Sequence, residues 1–169
     1  MSSKNARDNT IIESLLEVRR VTKVSKGGRR FAFGALVVAG DGEGRVGYAR
    51  RKAKEVSDAR EKASKAARRD MLRRKIPLYQ GRTIHHDTFG RAGASSVMLK
   101  KAPPGTGIIA GGSMRALCHM VGIKDVVAKS LGSANVSNVV EATLRALLKL
   151  SSPRSIAERR GKKVNQLSV

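Results

Sequence analysis

Lys26-Gly27-Gly28-Arg29-Arg30-Phe31-Ala32-Phe33-Gly34-Ala35-Leu36-Val37-Val38-Ala39-Gly40-Asp41-Gly42-Glu43-Gly44-Arg45-Val46-Gly47-Tyr48 decides the fold of the first half of the chain. One apolar run, residues 31–39, lies between two glycine-rich turns, and its β-branched and aromatic content reads as a strand. Upstream, Val18, Val21 and Val24 belong to a β-branched run that stops at the basic turn 26–30. Downstream, the turn 40–44 leads into a third short strand through Val46 and Tyr48. Three strands joined by tight turns make an antiparallel meander. From Ala53 to about Arg74 the period changes. Val56, Ala59, Ala63, Ala66 and Ala67 recur at helical spacing, with Lys and Arg on the other faces. The first layer therefore reads β-β-β-α.

The residue before a proline is pushed out of helical torsions, so the helix should end before Ile76-Pro77, and a domain boundary is placed there. Strand-like segments follow at residues 82–86 and 95–101. Pro103-Pro104-Gly105-Thr106-Gly107 forms a rigid loop before the apolar run 108–110. Ser113 is expected to cap a helix that runs to Val121 and stops at Gly122. A short strand at Val126-Val127 and a turn at Gly132-Ser133 precede the clearest helix, whose stripe is Val136, Val139, Val140, Leu144, Leu147 and Leu148. The fold class is thus α+β: two small two-layer α/β domains, 15–76 and 77–151, with a mobile tail at 1–14 and a basic tail at 152–169.

Charge sets the function class. The chain carries 35 Lys and Arg against 13 Asp and Glu, a net charge of +22 on 169 residues. Such a surplus repels itself in the folded state, and a phosphate backbone relieves the repulsion while releasing counterions. Residues 45–75 alone hold 13 cations and four acids, too one-sided for balanced helical ion pairs. The glycine turn at 26–30 lets backbone amides as well as side chains approach phosphates. Expected RNA contacts are Arg19, Arg20, Lys23, Lys26, Gly27, Gly28, Arg29, Arg30, Arg45, Arg50, Arg51, Lys52, Lys54, Lys65, Arg68 and Arg69. Aromatics at 3% argue against a base-stacking single-strand binder, whereas a β-β-β-α layer with a basic helix suits shape-based reading of A-form RNA.

Other classes are excluded or weighed down. No apolar run approaches the ~18 residues of a membrane span, no secretory leader is expected, and one cysteine, Cys118, rules out an intrachain disulfide. A cytoplasmic location follows. Gly42-Glu43-Gly44-Arg45-Val46-Gly47 fits G-x-G-x-x-G, but a dinucleotide fingerprint must open a helix and these glycines lie between strands. A kinase-type loop would need further motifs, and Asp87-Thr88-Phe89-Gly90 only approximates one of them. His85 and His86, adjacent on a strand, point to opposite faces and form no metal site. Cys118 and His119 diverge by about 100° on a helix and form no nucleophile–base pair; Cys118 reads as a packing residue. No cofactor and no enzymatic activity are expected. A nucleotide-dependent transferase using the 42–47 loop and a free-standing double-stranded RNA-binding module stay open as alternatives.

Lys26-Gly27-Gly28-Arg29, then the 40–47 motif, then Gly105-Thr106-Gly107-Ile108-Ile109-Ala110-Gly111-Gly112, at these intervals, resemble the family of the fifth protein of the bacterial small ribosomal subunit, over about residues 15–165. The resemblance implies a first domain similar to double-stranded RNA-binding domains without their first helix, and a second α/β domain with a left-handed crossover. It implies binding to small-subunit ribosomal RNA at the back of the body near the neck, and contacts with ribosomal proteins four and eight. It also implies a part in decoding accuracy and, with proteins three and four, a basic lining where messenger RNA enters. The loop at residues 23–29 would lie near the site of spectinomycin action, and Gly107 and Arg115 at the contact with protein four. Two positions depart from the family pattern. Ala49-Arg50-Arg51 stands where members read Gly-Tyr-Gly or similar, and Val136 follows Asn135 where members place proline; Asn135 still serves as the cap.

Overall fold

The structure, a computed structural model, describes residues 11–73 and 75–167. Strands β1 (Ile12–Ser25), β2 (Gly28–Gly40) and β3 (Val46–Ala53) form an antiparallel sheet in that order. Helix α1 (Val56–Met71) crosses one face of it. The second sheet has the order β4 (Thr88–Ala92), β5 (Ser95–Lys101), β7 (Val126–Gly132), β6 (Ile108–Ile109), with only β6 and β7 parallel. Helix α2 (Gly112–Val121) connects β6 to β7, α3 (Val136–Leu148) follows, and α4 (Pro153–Arg160) with a 3-10 turn at Val164–Gln166 closes the chain. The α+β class and the three-stranded sheet with its helix agree with the sequence reading.

Helix α1 lies close to the sheet because its inner face is alanine. Ala59, Ala63 and Ala67, one turn apart, are fully buried against Ala35, Val37, Ala39 and Ala49. Small side chains on both partners let backbones approach, and at Gly47 the approach is closest: a Cβ there would stand 2.3 Å from the Met71 nitrogen and 2.4 Å from the Ala67 carbonyl oxygen. The price is a small core on this side, since few large apolar groups leave water.

The other face of the same strand supplies the rest. Leu36 and Val38 alternate with Ala35, Val37 and Ala39, so they point away from α1 and join Val46, Ile76, Met120 and Val121 in the larger core. That core continues through Val97, Leu99, Leu117, Leu144 and Leu147. From Gly34 to Gly40 strand β2 is buried on both faces, which is why that stretch is a continuous apolar run rather than an alternating one. The two small domains therefore share one core, with a satellite under α1. The glycine turn after β2 is the seam. Gly42 N–H donates to the Met120 carbonyl at 3.1 Å, Gly44 N–H to that of Val121 at 2.9 Å, and Ile76 N–H to that of Gly44 at 2.8 Å.

Several boundaries differ from the sequence reading. The tail expected at 1–14 lies outside the described residues up to position 10, and from Ile12 the chain is strand, paired with Gly40. Its charged residues hid the pairing; Glu13 is tied to α1 by Ser64 and Arg68. The basic turn is only Lys26 and Gly27, because Ser25 pairs with Gly28, so Arg29 and Arg30 are strand residues. β3 runs on to Ala53, which pairs with Phe33, and α1 starts three residues later than Ala53. Residues 82–86 are not a strand; Tyr79 and Thr83 make an isolated bridge, and β4 begins at Thr88. β7 is seven residues long rather than two, held along β5. Ser113 lies inside α2, whose cap is Gly111 with no side-chain bond. Leu148 faces outward, while Asn135 caps α3 as expected, its Oδ1 accepting from Ser137 N–H at 3.1 Å. The basic tail is helical from Pro153, capped by Ser152, which accepts from Ser155 N–H at 3.2 Å.

The seam gives a paired prediction. Gly122 has φ +90°, and a Cβ there would stand 1.9 Å from the Gly42 carbonyl oxygen; Gly81 has φ +65° with open space around it. Gly81→Ala should cost about 1 kcal/mol, the left-handed penalty alone. Gly122→Ala should cost about 3 kcal/mol or more, because backbone must move against backbone. Urea unfolding of both variants checks this, and equal losses would show that the seam is not tight.

Candidate nucleic-acid interface

β2 pairs with β3 only from Phe33 onward, so residues 21–32 of the β1–β2 pair extend past the third strand as a two-stranded arm, with Arg19 and Arg20 at its base. Strand alternation sorts its cations. Lys23 pairs with Arg30 and Arg19 with Gly34 on the face turned from α1, where Arg50 and Lys52 follow on β3. Gly34 leaves a flat spot there, with Lys52 Cγ and Arg50 Nε at 3.7 and 3.8 Å from where its Cβ would be. Arg20 and Arg29 take the opposite face, and the Arg20 guanidinium sits 3.9 Å from the centre of the Phe31 ring. At the tip, Ser25 Oγ donates to the Gly28 carbonyl at 3.2 Å, and Gly28 has φ +121°. Only glycine takes that torsion without strain.

A second basic feature is a groove of about 480 Å³ between β3 and α1, lined by Arg50, Arg51, Arg69 and Arg73 around Asp70. Arg51 donates to the Arg50 carbonyl at 3.0 Å, and Arg69 Nε to that of Lys65 at 3.4 Å. Neither neutralises an arginine. The periodicity of α1 could have revealed Arg73, which lies four residues after Arg69.

The remaining cations divide. Lys26, Lys54 and the arm residues Lys23, Arg29 and Arg30 make no ion pair with any described residue. Arg19 pairs with Glu17 at 2.5 Å, Lys65 with Glu61 at 2.5 Å, and Arg45 stands 3.9 Å from Asp41 in the glycine turn. Arg68 bonds Glu13 at 2.5 Å and so fastens the edge strand to α1. Partial burial alone would raise the Glu13 carboxyl, but the Ser64 and Arg68 hydrogen bonds and the charges of Arg68 and Arg60 together hold it below its ordinary 4.5. The structure thus brings the arm cations, Arg50 and Arg51 onto one sheet, sets Arg69 on the helix packed against it, and gives Arg68 a structural duty.

Gly107 and Arg115 lie elsewhere. Arg115 is exposed on α2, opposite Met114, Leu117 and Val121, which are buried as the helical period requires. Gly107, with φ +74°, closes the proline loop onto Asp125. Asp125 Oδ1 accepts from Gly105 N–H at 2.9 Å and Gly107 N–H at 3.0 Å, and Oδ2 meets Arg82 Nε at 3.4 Å. The Gly107 amide is the largest influence on its carboxyl; with Gly105 and Arg82 it outweighs burial and holds the group below its ordinary 3.8. Sequence reading missed Asp125; the signal was an acid interrupting the apolar segment Ile123 to Val127.

Among the described residues no group of three or more His, Cys, Asp or Glu converges on one point. Burial pushes the Cys118 thiol up to about 12, so it packs and does not attack. His86 Nε2 accepts from Ser151 N–H at 3.2 Å and its Nδ1 lies 2.9 Å from the Asp87 carbonyl, while His85 packs edge-on to Tyr79. The G-x-G-x-x-G segment is occupied by backbone contacts to α2 and α1.

Comparison with known proteins converges on one family. Residues 11–73 match the family described as ribosomal protein S5, N-terminal domain, and residues 90–160 that described as ribosomal protein S5, C-terminal domain. The chain is 56% identical over its full length to the small ribosomal subunit protein uS5 of Rickettsia canadensis, covering 97% of that protein. It is 59% identical to that of Rickettsia rickettsii (strain Sheila Smith) and 57% to that of Rickettsia typhi, covering all of this chain and 95% of each relative.

The Asp125 anchor carries a pH prediction. A carboxyl whose folded value is depressed adds stability that is fully present above the unfolded value and is lost as pH falls through the folded one. Asp125→Asn should therefore be less stable than wild type at neutral pH, and the difference should shrink as pH drops below 3.8. Urea unfolding across a pH series reads this; parallel stability curves would remove Asp125 from the account.

Proposed function

The chain belongs to the ribosomal protein S5 family, and we propose that it is a non-enzymatic structural constituent of the small ribosomal subunit that grips ribosomal RNA with the β1–β2 arm and the β3–α1 groove and contributes to translational accuracy. The observation that carries this is the set of cations without acidic partners among the described residues, Lys23, Lys26, Arg29, Arg30, Arg50 and Lys52, on a single sheet and its tip turn. Side chains fixed on strands meet phosphates at set spacings, which suits the backbone of an A-form helix better than base edges. The arm, a ribbon with a two-residue glycine tip, is shaped to reach into folded RNA. By the family resemblance its tip lies near the site of spectinomycin action.

The second half of the chain is assigned to protein neighbours. Arg115 stands on the outer face of α2, and the Asp125-anchored loop presents Gly107 nearby in sequence to the same helix's start. The resemblance assigns these two to ribosomal protein four, with protein eight as a further neighbour and protein three sharing the basic lining at the way in for messenger RNA. An anchored loop and an exposed arginine, eight positions apart in sequence, support an interface that holds the subunit in one state and loosens when the arginine is lost.

Two outcomes are expected. Arg29→Gln with Arg30→Gln should weaken binding to duplex RNA of any sequence and flatten the dependence of log affinity on log salt by about one for each contact removed. A sequence-specific loss with an unchanged slope would refute phosphate recognition. Arg115→Ala should leave thermal stability within about 1 kcal/mol of wild type, as for an exposed charge, yet raise misreading in cells whose ribosomes carry only the variant. Wild-type misreading in such cells would remove Arg115 from the interface.

A further inference from the structure

Helix α4 and the end of α3 border a groove of about 350 Å³ lined by His86, Lys149, Ser151, Ile156, Arg159 and Arg160. Among the described residues no carboxylate lines it. Its cations are held in place by neutral acceptors: Lys149 Nζ donates to the Phe89 carbonyl at 3.0 Å, and Arg159 donates through Nη2 to Ser151 Oγ at 2.9 Å and through Nε to the Ser155 carbonyl at 3.3 Å. His86 orders the same wall, since Ser151 N–H donates to its Nε2 at 3.2 Å. The one acid of α4, Glu158, faces Arg154 at 3.6 Å instead.

An arginine positioned by hydroxyl and carbonyl oxygens keeps its whole charge and its unused N–H donors. Cations at a helix end are expected to complement the dipole, but that role needs no groove and no fixing of the guanidinium to a preceding turn. We infer that this groove, on the second half of the molecule and separate from the arm and the β3–α1 groove, is a second RNA site that takes backbone phosphates. The helix stops at Gly161, φ +62°, so Lys162 and Lys163 continue the basic run beyond Arg160. An acidic protein surface would be the other occupant of such charge. A protein interface centres on a buried apolar anchor, and here only Ile156 is apolar, so phosphate fits better. The inference rests on the reading that the chain's polyanion is RNA.

The full-length protein, titrated with a short RNA duplex over a range of salt, tests it. Lys149→Gln/Arg159→Gln/Arg160→Gln should flatten the log–log salt slope by about two to three. Arg160→Gln alone, at a side chain that makes no bond within the described residues, should flatten it by about one without disturbing the fold. Arg154→Gln, which removes a cation already paired on the same helix, should leave the slope as it is. Unchanged slopes in both groove variants, or equal flattening by Arg154→Gln, would overturn the inference. So would variants that lose binding to polyglutamate while retaining wild-type RNA binding. A wild-type protein that does not bind duplex RNA would overturn the functional reading itself, which separates the two failures.

Discussion

Everything in the molecule hangs on the burial of β2 from both sides. Ala35, Val37 and Ala39 face α1, while Leu36 and Val38 face the second half of the chain. A single strand is thus the floor of one layer and the wall of the next. Its exit through Gly40, Gly42 and Gly44 brings backbone against backbone: a Cβ at Gly40 would lie 2.1 Å from the Met120 carbonyl oxygen. Hydrogen bonds from Gly42 and Gly44 to the last residues of α2 complete the seam. A sequence that satisfies a nucleotide-binding pattern is explained here by packing alone.

The charge distribution follows a related economy. Four of the acids are used inside the fold as acceptors. Asp41 takes Glu43 N–H at 2.8 Å and Arg45 N–H at 3.0 Å, Asp87 takes Lys101 N–H at 2.8 Å, Asp125 takes two glycine amides, and Glu13 holds the edge strand to α1. Carboxylates so engaged shape loops and leave much of the cationic surface without partners. Of the cations behind the net charge of +22, those at the arm, at the β3–α1 groove and in the groove beside α4 stand together where they can meet an external anion.

The elements legible in the sequence were those set by local pattern. Glycine turns on either side of an apolar run gave the meander, the alanine period gave α1, and the Val136 to Leu147 stripe with Asn135 gave α3. What the pattern concealed was settled by distant partners. β7 reads as two apolar residues because its other positions are tolerated only through pairing with β5. Pro153 opens α4 where a basic tail was expected, since a charged surface helix has little apolar period to announce it. Two-sided burial of β2 was visible in its unbroken apolar run, a signal that depends on knowing a second partner exists. Among site residues, cation type and position were readable, but Arg68's attachment to Glu13 joins residues far apart in sequence, and Asp125's role needs the loop it anchors.

The seam also determines how the basic surfaces act. A joint made of main-chain contacts has little freedom, so the first sheet and the second half of the chain move together as one body. Binding a folded RNA with such a body costs less ordering than binding with tethered halves, because the spacing of the cations is already set. Rigidity of this kind is compatible with modest intrinsic stability. The layer under α1 is mostly alanine, and the cationic surface opposes its own folding through self-repulsion. An RNA partner removes that repulsion and binds the folded state, with its cations at set spacings, more tightly than the unfolded chain, so the same charges that weaken the isolated protein stabilise it in the particle.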